Sequence, residues 1–250
     1  MQVVVDSLLT HYEVQGKGRL VLLLHGWGDS AAGLSALQRD LAKKYQVMTF
    51  DLPGFGNTES PPSVWGLNDY VEFTAHFLRK INAARVAVLV GHSNGGAIAV
   101  RGLATGVLQA DKLVLLASAG IRGTYKGRVK LLRYITKAGK ALVTPLPKVL
   151  KDKIRRKVYH TVGSDMLVAE HLQETFKKIV TDDIRADAAR LTLPTLLIYG
   201  KQDDATPVAY GQALHKLIRS SKFEVVPGAG HFVHLDRAPE VAAAITEFIA

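Results

Sequence analysis

Short aliphatic runs recur along this chain, and most stop at a turn carrying glycine, histidine or aspartate. The clearest is Arg19-Leu-Val-Leu-Leu-Leu24, which ends at His25-Gly26. A continuous apolar run of this kind suits a strand buried on both faces. Further strands are predicted over 3–5, 12–14, 47–50, 86–90, 113–116, 195–199 and 223–226. Helical spacing falls between them: 35–44, a stripe of Val71, Ala75, Leu78 and Ile81 behind a capping Asn68, then 97–105, 208–218 and 239–248. Strands alternating with helices predict an α/β fold, a mainly parallel central sheet flanked by helices. Residues 122–185 break the rhythm with basic segments of helical periodicity and a Pro-rich break, Thr144-Pro-Leu-Pro147. They are expected to form a helical cap inserted between two strands of a core made of 1–121 and 186–250.

The run at 86–90 leads into Gly91-His-Ser-Asn-Gly95, then Gly96 and a helix. Strand, tight turn and helix are the context that gives Gly-x-Ser-x-Gly its meaning. A side chain at either flanking glycine would collide with the sheet or the helix. The serine hydroxyl is thereby raised above the strand ends, beside a helix N-terminus that favours a developing anion. A hydroxyl is a poor nucleophile near neutral pH, so it needs a base and a carboxylate to orient that base. The strand at 195–199 ends in Gly200-Lys-Gln-Asp203-Asp204, followed by Thr206-Pro207, and the strand at 223–226 ends in Pro227-Gly-Ala-Gly-His231. Each group sits just past a strand, where parallel α/β sheets assemble their sites.

These motifs, with His25-Gly26 and Asp51-Leu-Pro-Gly-Phe-Gly56, resemble the α/β-hydrolase fold family, in the carboxylesterase-like branch with a helical cap. The resemblance runs over nearly the whole chain. It implies Ser93 as nucleophile, His231 as base and Asp203 as orienting acid, with Asp204 as the alternative. The loop after 116, Ala117-Ser-Ala-Gly120, offers no acid. By the same resemblance His25-Gly26-Trp27-Gly28 is the oxyanion loop, and the backbone N–H groups of Trp27 and Asn94 hold the oxyanion. Asn94 departs from the methionine more usual after the nucleophile. The implied reaction is hydrolysis of carboxylic esters of small or medium acyl compounds through an acyl-enzyme, without a cofactor. Carbon–carbon bond hydrolases of the meta-cleavage type share the triad and cap and stay open as the alternative, as do lactonase and perhydrolase activity. A noncatalytic ligand- or membrane-binding protein is the reading from another class. The serine at 93 argues against dehalogenase and epoxide hydrolase chemistry, which uses aspartate.

Composition narrows the rest. The 250 residues include no cysteine, which removes disulfides, thiolate nucleophiles and Cys-ligated metal sites. No His/Asp/Glu group has metal-ligand spacing along the sequence, and no phosphate loop is present. His92 is expected to pack behind the serine turn, His234 to support the histidine loop, and His25 to shape the oxyanion loop. Trp65 and Tyr70 are read as surface or pocket lining. The formal charge is +10, and residues 122–185 hold sixteen Lys/Arg against six Asp/Glu, so the excess lies in the expected cap. Arg128, Lys130, Arg133, Lys137 and Lys140 would give one basic helical face and 148–157 another cluster. The first reading is a solvated lid face, ahead of weak contact with an anionic membrane surface or substrate. No nucleic-acid motif accompanies the charge. No signal peptide or membrane span is read, so a cytoplasmic location is expected.

Overall fold

The computed structural model describes residues 1–83, 85–122 and 169–250. Most of the expected cap, including Arg128 to Lys140 and the 148–157 cluster, lies outside the described residues.

Eight strands form one sheet: β1 (Gln2–Val5), β2 (Leu8–Gln15), β3 (Leu20–Leu24), β4 (Gln46–Phe50), β5 (Val86–His92), β6 (Ala110–Leu116), β7 (Thr195–Gly200) and β8 (Ser221–Val226). Their order is β1-β2-β4-β3-β5-β6-β7-β8. β1 and β2 pair antiparallel at one edge, and every pairing from β4 to β8 is parallel. The parallel strands are aliphatic throughout because both of their faces are covered. Leu22, Leu24, Phe50 and Leu89 point into one core, while Val21, Leu23, Val47 and Val88 point into the other. That alternation is the period of two of a pleated strand.

The helices among the described residues are α1 (Ser35–Leu41), α2 (Leu67–Lys80), α3 (Asn94–Thr105), α4 (Gln173–Ile179), α5 (Arg185–Ala188), α6 (Val208–Leu217), α7 (Val233–Asp236) and α8 (Ala238–Ile249). α1, α7 and α8 cover the second core through Leu37, Val233 and Ile245. α2, α3, α5 and α6 cover the first through Phe73, Phe77, Ile98, Ala188 and Leu214. The result is three layers, helices on both faces of a mostly parallel sheet. α2 begins two residues earlier than an Asn68 cap would allow. Its entry is held by Asp69, whose carboxylate accepts the Gly66 N–H at 2.6 Å, and Asn68 instead accepts from Arg101 at 2.7 Å. Tyr70 is not at the surface: it is fully buried, and its hydroxyl donates to the Pro53 carbonyl. Trp65 is half-buried, its ring edge-on to Tyr70.

β6 and β7 are neighbours in the sheet although 78 residues separate them in the chain. The described end of that long connection folds back over the loops after β3 and β4. Thr175 Oγ1 accepts the Trp65 N–H at 3.1 Å, and His171 Nε2 lies 2.9 Å from the Gly54 carbonyl. No helix among the described residues is long and apolar enough to cross a membrane.

Candidate active site

Parallel strands that share a direction end along one edge of the sheet, so the loops after β3, β5, β7 and β8 are neighbours. β5 turns into α3 within a single residue. Ser93 makes that turn at φ 50° and ψ −115°, an uncommon conformation for a residue with a side chain. The glycines on either side allow it. A Cβ at Gly91 would lie 2.5 Å from the Gly95 carbonyl oxygen, and one at Gly95 would fall on the Leu24 carbonyl. The collision expected from sequence is the one the backbone presents.

His231 and Asp203 converge on this serine. Ser93 Oγ is 3.0 Å from His231 Nε2, and His231 Nδ1 is 2.9 Å from Asp203 Oδ2. Asp204 is exposed, whereas Asp203 is 5% exposed and held by its own turn. Its Oδ1 accepts the N–H groups of Ala205 and Thr206, each at 2.8 Å. Burial alone would raise the Asp203 carboxyl. The hydrogen bond and charge of His231, with the Thr206 donors, outweigh it and hold the group below its ordinary value.

Thr206 had no assigned role in the sequence reading. Its hydroxyl lies 2.7 Å from Asp203 Oδ2, 2.9 Å from the Ala117 carbonyl and 3.1 Å from His231 Nδ1. It thus braces the acid, the imidazole and the loop after β6 together. The readable signal was Asp-x-x-Thr-Pro, a threonine and a proline just ahead of a helix.

Asn94 follows the serine directly, and Trp27 follows Gly26, where an added Cβ would fall 3.1 Å from the Ser93 Cβ. Neither backbone N–H has an acceptor among the described residues. Trp27 packs its indole edge-on to Phe55 at 4.8 Å and tilted against Phe176 at 5.2 Å, so α4 closes over the loop. The loop itself is fixed from below. His25 Nδ1 lies 2.7 Å from the Gly26 carbonyl, and its Nε2 accepts the Leu52 N–H at 2.9 Å, which sets the proton on Nδ1. Burial lowers the His25 pKa, against the pull of the Gly26 carbonyl and of Asp29 and Asp51. Asp51 ties the next loop, accepting from Ala31 at 2.6 Å and Asn57 at 2.8 Å.

His92 is 1% exposed, and its Nε2 lies 3.0 Å from the His231 carbonyl oxygen, so it supports the loop carrying the imidazole. Its ring lies 4.5 Å from that of His234, which is fully buried. Burial first, then each other's proximity and that of His231, holds His92 well below the usual histidine range. Burial likewise carries His234 down to about 4. Both imidazoles are neutral near pH 7.

The chain is 26% identical over 265 residues to a 2-hydroxy-6-oxo-6-(2'-aminophenyl)hexa-2,4-dienoic acid hydrolase of Metapseudomonas resinovorans, covering 96% of this chain and 87% of that one. It is also 26% identical over 267 residues to a pimeloyl-[acyl-carrier protein] methyl ester esterase of Xylella fastidiosa, covering 96% and 98%. Among solved structures it superposes on a bacterial membrane phospholipase A with a TM-score of 0.81 at 23% identity, covering all of this chain and 84% of that one, a likeness of fold. The model of the alpha/beta hydrolase family matches residues 21–244. With that match, this sheet and this serine turn, the chain belongs to the alpha/beta hydrolase family.

Proposed function

We propose that the protein is a serine hydrolase that cleaves carboxylic esters of small molecules, with Ser93, His231 and Asp203 as its catalytic residues. One observation carries this reading: the unbroken series from Ser93 Oγ to His231 to Asp203, at 3.0 and 2.9 Å, with the acid buried. His231 takes the Ser93 proton as Oγ attacks the carbonyl carbon, and Asp203 stabilises the imidazolium. The Trp27 and Asn94 amides, free of other acceptors among the described residues, donate to the oxyanion. The intermediate collapses as His231 protonates the departing alcohol. Water activated by the same imidazole then releases the acid from Ser93. Residues 122–185 act as the cap over this site, and the packing of Phe176 on Trp27 supports that role.

A second reading is hydrolysis of a carbon–carbon bond in a ring-fission dienoate. The Metapseudomonas relative, a hydrolase of such a dienoic acid, supports it. The two are separated by assaying p-nitrophenyl esters of graded acyl length beside a 2-hydroxy-6-oxo-hexa-2,4-dienoate, each with wild type and Ser93→Ala. Ester turnover that Ser93→Ala lowers by about 10⁶-fold in kcat supports the esterase. Turnover of the dienoate alone moves the assignment to carbon–carbon hydrolysis. Turnover of neither by a folded protein defeats both.

A further inference from the structure

Three residues that are far apart in sequence meet beside the serine turn: Asp29 in the loop after β3, His92 at the end of β5 and His234 in α7. One atom from each lies within 4.8 Å of the other two. Asp29 Oδ2, His92 Nδ1 and both His234 nitrogens are buried without a hydrogen-bond partner. Buried polar atoms are nearly always paired, so four orphans in one spot point to a missing partner.

The protons identify what that partner is. His92 Nε2 faces the His231 carbonyl at 3.0 Å, and a carbonyl only accepts, so His92 Nδ1 is a bare lone pair. Asp29 Oδ1 accepts the Ser30 N–H at 2.8 Å, and its Oδ2 is buried. Neutral His234 carries a proton on one nitrogen and a lone pair on the other, and the tautomer that turns the lone pair inward sets it beside those of Asp29 and His92. Three lone pairs therefore converge. A water molecule has two protons and leaves one of the three lone pairs unmet, whereas a cation meets all three.

We propose that Asp29, His92 and His234 form a binding site for a divalent transition metal ion, zinc being the best match. Two imidazole nitrogens and one carboxylate oxygen suit zinc, and hard cations such as magnesium and calcium prefer all-oxygen sites. The donation of His92 Nε2–H to a backbone carbonyl is the outer support that metal-bound histidines carry. Ligand atoms no more than 4.8 Å apart lie at most about 2.8 Å from a central ion, so each closes in by roughly 0.7 Å to reach zinc distances. Asp29 is partly exposed and gives the ion a way in. The ion would pin together the loop holding Trp27, the strand end before Ser93 and the helix after His231. Its place is structural and does not depend on which bond the enzyme cleaves.

The test uses tag-free, chelator-treated full-length protein, dialysed against zinc or cobalt(II) and passed through a desalting column. One retained equivalent, a raised Tm and visible cobalt ligand-field bands are expected in wild type. Asp29→Asn and His234→Gln should each lose the retained metal while keeping the circular dichroism of the metal-free wild type. Wild type retaining less than a tenth of an equivalent, with an unmoved Tm, overturns the site. So does full retention by both variants. If either variant fails to fold, the wild-type stoichiometry and the nitrogen–oxygen ligand field of its cobalt form decide alone: no bound cobalt, or an all-oxygen spectrum, overturns it.

Discussion

Two aspartate–histidine groupings stand on either side of His92, and they are solved in opposite ways. On one side Asp203 and His231 are fully engaged: both Asp203 oxygens are occupied, and both ring nitrogens have partners. On the other, Asp29 Oδ2 and both nitrogens of His234 have none. The residue types are alike, and in each grouping buried and partly exposed members stand together, so the difference is one of donors. Around Asp203 the chain supplies two backbone N–H groups, a threonine hydroxyl and an imidazole. Around Asp29 Oδ2 it supplies lone pairs. A carboxylate among donors is stabilised as an anion that can orient a base. A carboxylate among lone pairs is suited to holding a cation.

The same substitution made on both sides sharpens or breaks this contrast. Asp203→Asn leaves the geometry but presents the wrong tautomer of His231 to the serine, and kcat should fall by about 10⁴-fold. Asp29→Asn should leave kcat within a few-fold and abolish metal retention. Steady-state kinetics on the best ester, run with metal analysis on the same preparations, checks both. Equal falls in kcat would end the distinction. Next in size is Gly95→Ala, which drives a methyl group onto the Leu24 carbonyl and should cost about 2–3 kcal/mol in urea unfolding. Thr206→Val removes the hydroxyl that braces Asp203 and His231, and about a tenfold loss of kcat is expected, with Thr206→Ser recovering most of it.

What could be read from the sequence followed from locality. The parallel sheet was legible because each buried strand writes its own aliphatic run. The serine turn was legible because its close approaches involve residues a few positions apart, Gly91 against Gly95 and Gly96. Asp203 and His231 were legible because each follows a strand directly. Thr206 was visible only as a neighbour of the acid, since its value lies in reaching Ala117, 89 positions away. The Asp29, His92 and His234 grouping left no spacing signal at all, because a loop, a strand end and a helix far apart in the chain bring it together. Asn68 misled as a cap because a better local solution, Asp69 onto Gly66, lies one residue further along.

The smallest predicted effect concerns His25, a histidine that belongs to neither grouping. Its Nε2 must stay unprotonated to accept the Leu52 N–H, and Nδ1–H is committed to the Gly26 carbonyl. Burial lowers its pKa in the folded chain, while in the unfolded chain it titrates near its ordinary 6.5. Below that pH the unfolded state binds more protons than the folded one, so stability rises with pH there and is lost as pH falls. Asp29 and Asp51 oppose the shift, and His92 and His234 add losses of the same sign in the same window. Urea midpoints measured from pH 8 down to pH 5 should therefore fall in wild type. They should fall less steeply in His25→Asn, which has no proton to gain. Parallel slopes in the two proteins would mean that His25 carries none of the acid sensitivity, leaving it to the two histidines on the lone-pair side of the serine.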